Sequence, residues 1–229
     1  MKRVLSIVAA ALFAVGTLRG EEPAVVVRFE FDDQKAFERD WGFYSYLPIL
    51  NRTSFHLGER PTAVDGHALL IEAKNSSGFI CTLPVRVDLN KLPVMRWRWR
   101  VISNLELPKS SADPDDQAGV IYIGDGTRLR QHSIGYRWEC NTPVGSMRTD
   151  HYRGGLSTVR STCVRNRKTP IGQWVEDERN VLEDFKKAFS RPPADGFVLC
   201  IGANSQNSKS HTRLEIDYIE FRPAPAPEK

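Results

Sequence analysis

The sequence is dominated by short runs of β-branched and aromatic residues, each bounded by residues that favour turns. The runs are Val25–Phe31, Ala68–Ala73, Val94–Val101, Gly119–Ile123, Ser133–Trp138, Leu156–Cys163, Gly196–Gly202 and Arg213–Phe221. Such composition is typical of β-strands, and the Asp and Gly residues between them favour chain reversal. The pattern therefore predicts an all-β chain whose strands form a sandwich of two antiparallel sheets with long loops.

One segment, residues 180–189, predicts a helix instead. Its apolar side chains recur with the 3.6-residue period of a helix, and Pro192 and Pro193 follow it. The apolar positions are Val181, Phe185, Ala188 and Phe189. No internal repeat or break in composition divides the chain, so we expect one domain over residues 21–222. A Pro- and Ala-rich extended tail is expected at residues 223–229.

The N-terminus predicts export. Lys2 and Arg3 precede the apolar run Val4–Val15, whose end is rich in small residues. This layout is typical of a secretory signal peptide, which we place in residues 1–20. The run is shorter than the roughly 20 residues that a membrane-spanning helix needs, and no later run is long and apolar enough. We therefore expect a periplasmic or extracellular protein without a membrane span.

The charge of the chain argues against a nucleic-acid partner. The chain has 32 basic and 28 acidic residues, and removal of residues 1–16 takes away Lys2 and Arg3 and lowers the net charge from +4 to about +2. Nucleic-acid binding depends on a pronounced basic surface. We therefore expect no nucleic acid among the partners.

Four cysteines follow the predicted signal peptide: Cys81, Cys140, Cys163 and Cys200. An even number in an exported chain favours two disulfides, and the sequence alone allows three pairings. We prefer Cys140 with Cys163, because both end predicted strands separated by one loop, and this leaves Cys81 with Cys200. Buried thiols are the alternative. None of the four has the C-x-x-C spacing of a zinc or redox site.

The segment Arg96–Arg100 alternates arginine with tryptophan. On a strand, the two tryptophans point to one face and the three arginines to the other. In one hypothesis they line an open sheet face, where rings stack on sugars and guanidinium groups bind carboxylates. In the other, the tryptophans fill the core and the arginines pair with acids such as Asp115 and Asp116. The candidate ligand-binding residues here are Arg96, Arg98, Trp99 and Arg100.

Other predicted strands and loops add further candidates. Aromatic rings and amides suit sugar rings and hydroxyls, while His and Tyr can exchange protons at sugar carbons next to an arginine-bound uronate. Further candidate ligand-binding residues are Tyr136, Trp138, Asn204 and Asn207. Candidate catalytic residues are His132, His151 and Tyr152. Their order along the chain, after an arginine-rich strand, resembles that of the jelly-roll alginate lyases.

An acidic loop raises the question of a metal. Asp113, Asp115 and Asp116, together with Asp125, could supply oxygen ligands to Ca²⁺, which often holds β-sandwich loops. The alternative is an acidic loop without metal, since no EF-hand spacing is present. We expect no other cofactor. The sequence also lacks a Gly-x-Ser-x-Gly elbow and a Gly-rich phosphate-binding loop.

Several segments together resemble the family catalogued as domain of unknown function 3047. They occur in order between about residues 28 and 221: Met95–Val101, Asp115–Ala118, Tyr136–Trp138, Thr142–Gly145, Trp174–Val181, Asp184–Phe189 and Ile216–Ile219. The resemblance implies an exported bacterial protein of no assigned activity. It also implies a β-sandwich similar to galactose-binding-like and other jelly-roll carbohydrate modules.

Three hypotheses for function follow. The first is a non-catalytic module that binds a glycan or another small polar ligand. The second is a polysaccharide-active enzyme, a lyase or glycoside hydrolase, that uses the Arg, His and Tyr candidates. The third is a structural or assembly protein of the cell envelope, for which an exposed sheet edge is the usual partner surface.

Overall fold

The computed structural model of the 229-residue chain describes residues 26–44, 52–109, 111–127 and 130–225. The predicted signal peptide at residues 1–20 lies outside these ranges. The strands are β1 (Val27–Glu30), β2 (Trp41–Tyr44), β3 (Ser54–Glu59), β4 (His67–Lys74), β5 (Ser77–Thr82), β6 (Val94–Ser103), β7 (Gln117–Gly126), β8 (Gln131–Trp138), β9 (Met147–Tyr152), β10 (Ser157–Arg165), β11 (Val175–Asn180), β12 (Val198–Asn204) and β13 (His211–Arg222). The helices are α1 (Gln34–Asp40) and α2 (Val181–Phe189), and a single 3₁₀ turn occupies Arg153–Gly155.

The strands form two sheets that share one core. The six-stranded sheet has the order β11-β6-β13-β4-β3, and β1 pairs with the second half of β13, beyond the end of β4. The seven-stranded sheet has the order β2-β5-β12-β7-β8-β10-β9. Buried apolar side chains from both sheets meet in a single cluster. The predicted all-β, two-sheet sandwich is confirmed.

One pairing departs from the antiparallel prediction. Strands β8 and β10 run parallel, with Ser157 opposite Gln131 and Ser161 opposite Gly135. After β8 the chain crosses to the edge of the sheet as β9, and it returns as β10 between β9 and β8. Strand β9 runs in the direction opposite to β8, and β10 is antiparallel to β9, so β10 is parallel to β8. The order of strands along a sequence does not reveal such a crossover.

The eight predicted strands are all present, with ends shifted by a few residues, but other elements have weaker sequence signals. Strands β2, β3, β5, β9 and β11 and helix α1 are not predicted. Strand β11 is mostly charged because it lies at a sheet edge, with much of its surface exposed. Helix α1 is only seven residues long, and it begins because the Asp33 carboxylate accepts hydrogen bonds from the backbone N–H groups of Lys35 and Ala36.

A block of four aromatic side chains joins the two sheets. Trp97 and Trp99 come from β6 and Tyr136 and Trp138 from β8, and none is more than 1% exposed. The rings of Trp97 and Tyr136 stack with centroids 5.2 Å apart, and Trp99 contacts Trp138 edge-on at 5.3 Å. The assignment of Trp99, Tyr136 and Trp138 to ligand binding is therefore corrected, because these rings fill the core.

Helix α2 packs against β6, β8 and β11 at one end of the sandwich, as the periodicity of residues 180–189 predicts. Asn180 caps the helix by accepting a hydrogen bond from the backbone N–H of Glu183 at 3.1 Å. Its buried side chains are Val181, Phe185 and Ala188. Asp184 of the same helix accepts a hydrogen bond from the hydroxyl of Tyr136 at 2.9 Å, which ties the helix to the aromatic block. Neither described helix has the length and apolar character needed to cross a membrane.

We expect Trp99→Ala to lower the free energy of unfolding by about 3–5 kcal/mol, because it leaves a large cavity in the aromatic block. Urea denaturation followed by circular dichroism measures this loss. The matched control is Trp174→Ala, since the Trp174 ring is partly exposed on the outer face of the six-stranded sheet and should cost less than half as much. Equal losses for the two variants would contradict a core role for Trp99.

Candidate functional site

A cleft of about 730 Å³ opens on the outer face of the seven-stranded sheet. Strands β5, β12, β7, β8 and β10 form its floor. The alternation of side chains along β8 decides which residues reach it. Tyr136 and Trp138 point into the core, so Gln131, Ser133 and Gly135 point outward.

Two aromatic rings lie on the cleft floor, Phe79 from β5 and Tyr122 from β7, with centroids 5.7 Å apart. Each ring covers a glycine of the neighbouring strand, because Phe79 pairs with Gly202 and Tyr122 with Gly135. A Cβ at Gly135 would lie 2.5 Å from the Tyr122 ring, and one at Gly202 would lie 2.3 Å from the Phe79 ring. Glycine inside a strand allows such close approach. The two glycines therefore let both rings lie down on the sheet surface.

Uncharged polar side chains line the same cleft as the two rings. Gln131 and Ser133 line the cleft, and within the described part of the chain neither side chain has a hydrogen-bond partner. Asn204, one of the predicted ligand-binding residues, also lines the cleft. Its amide nitrogen donates to the main-chain oxygen of Asp115 at 2.6 Å. The cleft thus offers both donors and acceptors beside an apolar floor.

A cluster of ion pairs lies at one end of the cleft. Arg137 is fully buried, and its guanidinium nitrogens lie 2.8 Å from Glu139, 3.6 Å from Asp115 and 3.9 Å from Asp150. Arg148 contacts Asp150 at 2.7 Å and Asp115 at 3.4 Å. Two arginines therefore meet three carboxylates, which leaves this cluster with one net negative charge.

Asp115 is the charged member of this cluster that lines the cleft, and its side chain is 42% exposed. The hydroxyl of Tyr152, which also lines the cleft, donates a hydrogen bond to Asp115 Oδ2 at 3.0 Å. Burial, and then the negative charge of Asp115, raise the pKa of the Tyr152 hydroxyl above its usual value. Tyr152 is therefore a protonated hydrogen-bond donor at neutral pH, which does not suit a general base.

The loop that presents Asp115 is held by carboxylates on either side of it. Asp113 accepts hydrogen bonds from the backbone N–H and the hydroxyl of Thr142 at 2.8 and 2.7 Å. The fully buried Asp116 accepts one from the side-chain amide of Asn207 at 3.0 Å. Asn207 is exposed outside the cleft, so its predicted ligand-binding role becomes a loop-fixing one. Within the described ranges, no group of three or more His, Cys, Asp or Glu side chains could hold a metal, and the Ca²⁺ hypothesis lacks geometric support.

A second carboxylate, Asp125, lies at the opposite end of the cleft and is almost completely buried. The two Nη atoms of Arg191 contact its oxygens at 2.5 and 2.7 Å, and the backbone N–H of Ala194 donates at 2.6 Å. Burial acts to raise the pKa of Asp125, but these hydrogen bonds and the charge of Arg191 outweigh it and lower the pKa. Asp125 is therefore ionised and neutralised by its own partner.

The three arginines of the Arg96–Arg100 segment lie on the other side of the molecule, on the outer face of the six-stranded sheet. Their ion pairs are Arg96 with Glu176, Arg98 with Asp217, and Arg100 with Glu215. Two of the guanidinium groups also lie over the ring of Trp174. The arginines thus pair with acids of their own sheet and not with Asp115 or Asp116. The predicted ligand-binding role of Arg96, Arg98 and Arg100 is therefore corrected, because these arginines form ion pairs within their own sheet and lie away from the cleft.

The three predicted catalytic residues are not brought together. His132 lies on the face of β8 opposite the cleft, with its ring centroid 4.9 Å from that of Phe189 in α2. His151 is exposed on the opposite face of β9 from Tyr152, and its Nδ1 is 3.3 Å from Thr158 Oγ1. Neighbouring residues of a strand point to opposite faces, so the three cannot act on one sugar. The proposed catalytic set is therefore wrong as a set.

One of the two predicted disulfides is present in the structure. Cys81 and Cys200 form a disulfide between β5 and β12 in the cleft floor. Cys140 and Cys163 are buried free thiols, each bonded to a main-chain carbonyl, so the preferred pair between them is not formed. Burial, with the charge of Glu139 as a smaller cause, raises the pKa of Cys163 to about 12.

The solved structures to which the chain is similar include two carbohydrate-binding modules and an endoglucanase. The family 11 carbohydrate-binding module of the cellulase Lic26A-Cel5E of Clostridium thermocellum is 10% identical, with a TM-score of 0.39, over 82% of this chain and 91% of that chain. The CBM22-1 xylan-binding domain of Xyn10C from Paenibacillus barcinonensis is 7% identical, with a TM-score of 0.43, over 90% and 100%. Endoglucanase 3 of Trichoderma harzianum, from family GH12, is 10% identical, with a TM-score of 0.39, over 88% and 98%. At these identities the similarity concerns the fold alone.

The family itself is identified from sequence. Residues 40–220 match the family described as protein of unknown function DUF3047, and the chain belongs to that family. No curated protein matches the sequence.

We expect two thiols per chain when the unreduced protein is unfolded in guanidinium chloride and titrated with a thiol reagent, and four after reduction. In the native protein at pH 8, alkylation should be slow, because both thiols are buried and the raised pKa of Cys163 keeps it protonated. Cys163→Ser should remove one of the two thiols without changing the other. A complete absence of thiols in the unfolded, unreduced chain would show that Cys140 and Cys163 are paired.

Proposed function

We propose that this protein is an exported, non-catalytic glycan-binding module whose binding site is the cleft of the seven-stranded sheet. The observation that carries the proposal is the pair of rings, Phe79 and Tyr122, laid on the cleft floor over Gly202 and Gly135. A sugar ring has apolar C–H faces and a polar rim of hydroxyls. An aromatic floor surrounded by hydroxyl and amide groups matches both.

The polar groups of the cleft support the same proposal. Gln131 and Ser133 line the same cleft as the rings and have no side-chain hydrogen-bond partners among the described residues. Polar side chains that are left unpaired beside an apolar surface are suited to orient a ligand. The amide supplies two donors and an acceptor, and the hydroxyl supplies one donor and two acceptor sites, which is the range that sugar hydroxyls need.

Catalysis finds less support than binding. His132 and His151 lie outside the cleft, and the Tyr152 hydroxyl is held as a donor to Asp115. The disulfide between Cys81 and Cys200 is consistent with an oxidising compartment and therefore with export.

We expect Tyr122→Ala and Phe79→Ala each to weaken binding to a retained polysaccharide by about tenfold, since each removes a stacking surface. Affinity electrophoresis across a series of polymer concentrations gives the dissociation constants. Trp174→Ala, which removes an aromatic ring from the opposite side of the molecule, should leave the constant unchanged. Unchanged retardation of both cleft variants, with a normal thermal transition, would overturn the proposed site.

A second variant tests the position of the ring without removing it. In Gly135→Ala the new Cβ forces the Tyr122 ring from its place. Holding a side chain away from its preferred rotamer costs about 0.5–1.5 kcal/mol, so we expect the affinity to fall roughly three- to tenfold. The control is Gly42→Ala, whose Cβ would meet no atom closer than 3.9 Å. Titration calorimetry with a soluble oligosaccharide of the retained polymer measures both. Equal affinities for the two variants would show that the ring position does not matter.

A further inference from the structure

The charges around the cleft carry information about the kind of glycan. Among the described residues that line it, the charged side chains are Asp115 and Asp125, and both are carboxylates. Asp125 is nearly buried and its charge is neutralised by Arg191. The charge presented to a ligand is therefore that of Asp115.

The arginines near Asp115 do not reverse this sign. Arg137 is buried behind it, and both Arg137 and Arg148 are shared with Asp150, while Glu139 takes a further contact from Arg137. The cluster holds one more carboxylate than guanidinium groups, so no positive charge is left over for an anionic ligand. The carboxylate of a uronate ligand within a few ångströms of Asp115 would be repelled directly by the Asp115 charge, because the site is partly desolvated.

Asp115 retains acceptor capacity toward the cleft. Its Oδ2 accepts the hydroxyl hydrogen of Tyr152, and its Oδ1 lies more than 3.3 Å from either arginine. A carboxylate has about four lone-pair positions. The free positions suit the hydroxyl groups of a neutral sugar, which donate stronger hydrogen bonds to a charged acceptor than to a neutral one.

We infer that the cleft takes uncharged polysaccharides and excludes polyuronates, and that Asp115 is the residue that makes this distinction. The inference rests on the proposed glycan-binding function and names the ligand class for that same cleft. It runs against the lyase hypothesis, in which arginines neutralise a uronate.

The test is affinity electrophoresis at low ionic strength with two sets of polymers. The neutral set contains hydroxyethylcellulose, mixed-linkage β-glucan, glucuronate-free arabinoxylan and galactomannan, and the anionic set contains alginate and polygalacturonate. We expect retardation by at least one neutral polymer, and binding to both polyuronates at least tenfold weaker. Retardation by a polyuronate equal to or stronger than by every neutral polymer would overturn the inference while leaving glycan binding intact. Retardation by none of the six would overturn the proposed function and the inference with it.

The variant Asp115→Asn tests the residue itself. It keeps an oxygen for the Tyr152 hydroxyl but removes the charge, so we expect the affinity for neutral polymers to fall about tenfold. We also expect a smaller ratio of the affinity for neutral polymers to the affinity for polyuronates. Asp88→Asn removes the same charge from an exposed position outside the cleft, so it matches the electrophoretic mobility and should retain the wild-type ratio. An unchanged ratio in a folded Asp115→Asn protein would overturn the role of Asp115.

A salt series on the wild-type protein gives a second readout that needs no variant. If the Asp115 charge excludes polyuronates, added salt should screen that charge and weaken the exclusion. The ratio of the affinity for neutral polymers to that for anionic polymers should therefore decrease between low salt and about 0.15 M. A ratio that does not change with salt would contradict an electrostatic origin.

Discussion

The packing of β6 against β8 through four buried aromatic rings determines the orientation of the side chains on the seven-stranded sheet. Once Tyr136 and Trp138 face the two tryptophans of β6, the two-residue period of a strand turns Gln131, Ser133 and Gly135 outward. The registers of β7 and β10 against β8 then place their outward positions in the same rows. The composition of the cleft is therefore a consequence of which β8 residues are large and apolar.

The two outer faces of the sandwich differ in how their polar groups are used. On the six-stranded sheet the arginines meet acids of neighbouring strands, and Glu215 is shared between Arg60 and Arg100. Their aliphatic stems and the Trp174 ring cover the sheet. The arginines of that face are therefore paired with acidic groups of the same sheet. On the seven-stranded sheet the outward positions near the centre are glycine, serine, glutamine and two rings. Among the described residues, the side chains of Gln131 and Ser133 on this face have no hydrogen-bond partner, and recognition of a ligand is expected there.

The elements with long apolar runs could be predicted from sequence, and so could helix α2, because burial on one face leaves a periodic signal. The sequence leaves the core role of the tryptophans as one of two hypotheses, since alternation shows that Trp97 and Trp99 share a face but not which face is buried. The binding candidates failed where they relied on residue type alone, because an arginine on a strand looks the same whether its partner is a ligand or Glu176. Phe79 lies in a strand that the pattern does not predict. A sequence signal for the cleft exists in two glycines, Gly135 inside one predicted strand and Gly202 at the end of another.

One of those glycines, Gly202, lies in a strand that the disulfide joins to its neighbour. A glycine inside a strand contributes no cross-strand side-chain contact, and it costs more conformational entropy to fix than other residues. Gly202 of β12 lies opposite Phe79 of β5, where the Phe79 ring leaves no room for a side chain. Cys81 and Cys200 join the same two strands covalently, a few residues from Gly202. A cross-link restricts the unfolded chain and so stabilises the pairing without adding bulk above the sheet. The disulfide therefore reinforces the β5–β12 pairing at the place where the Phe79 ring lies over a glycine.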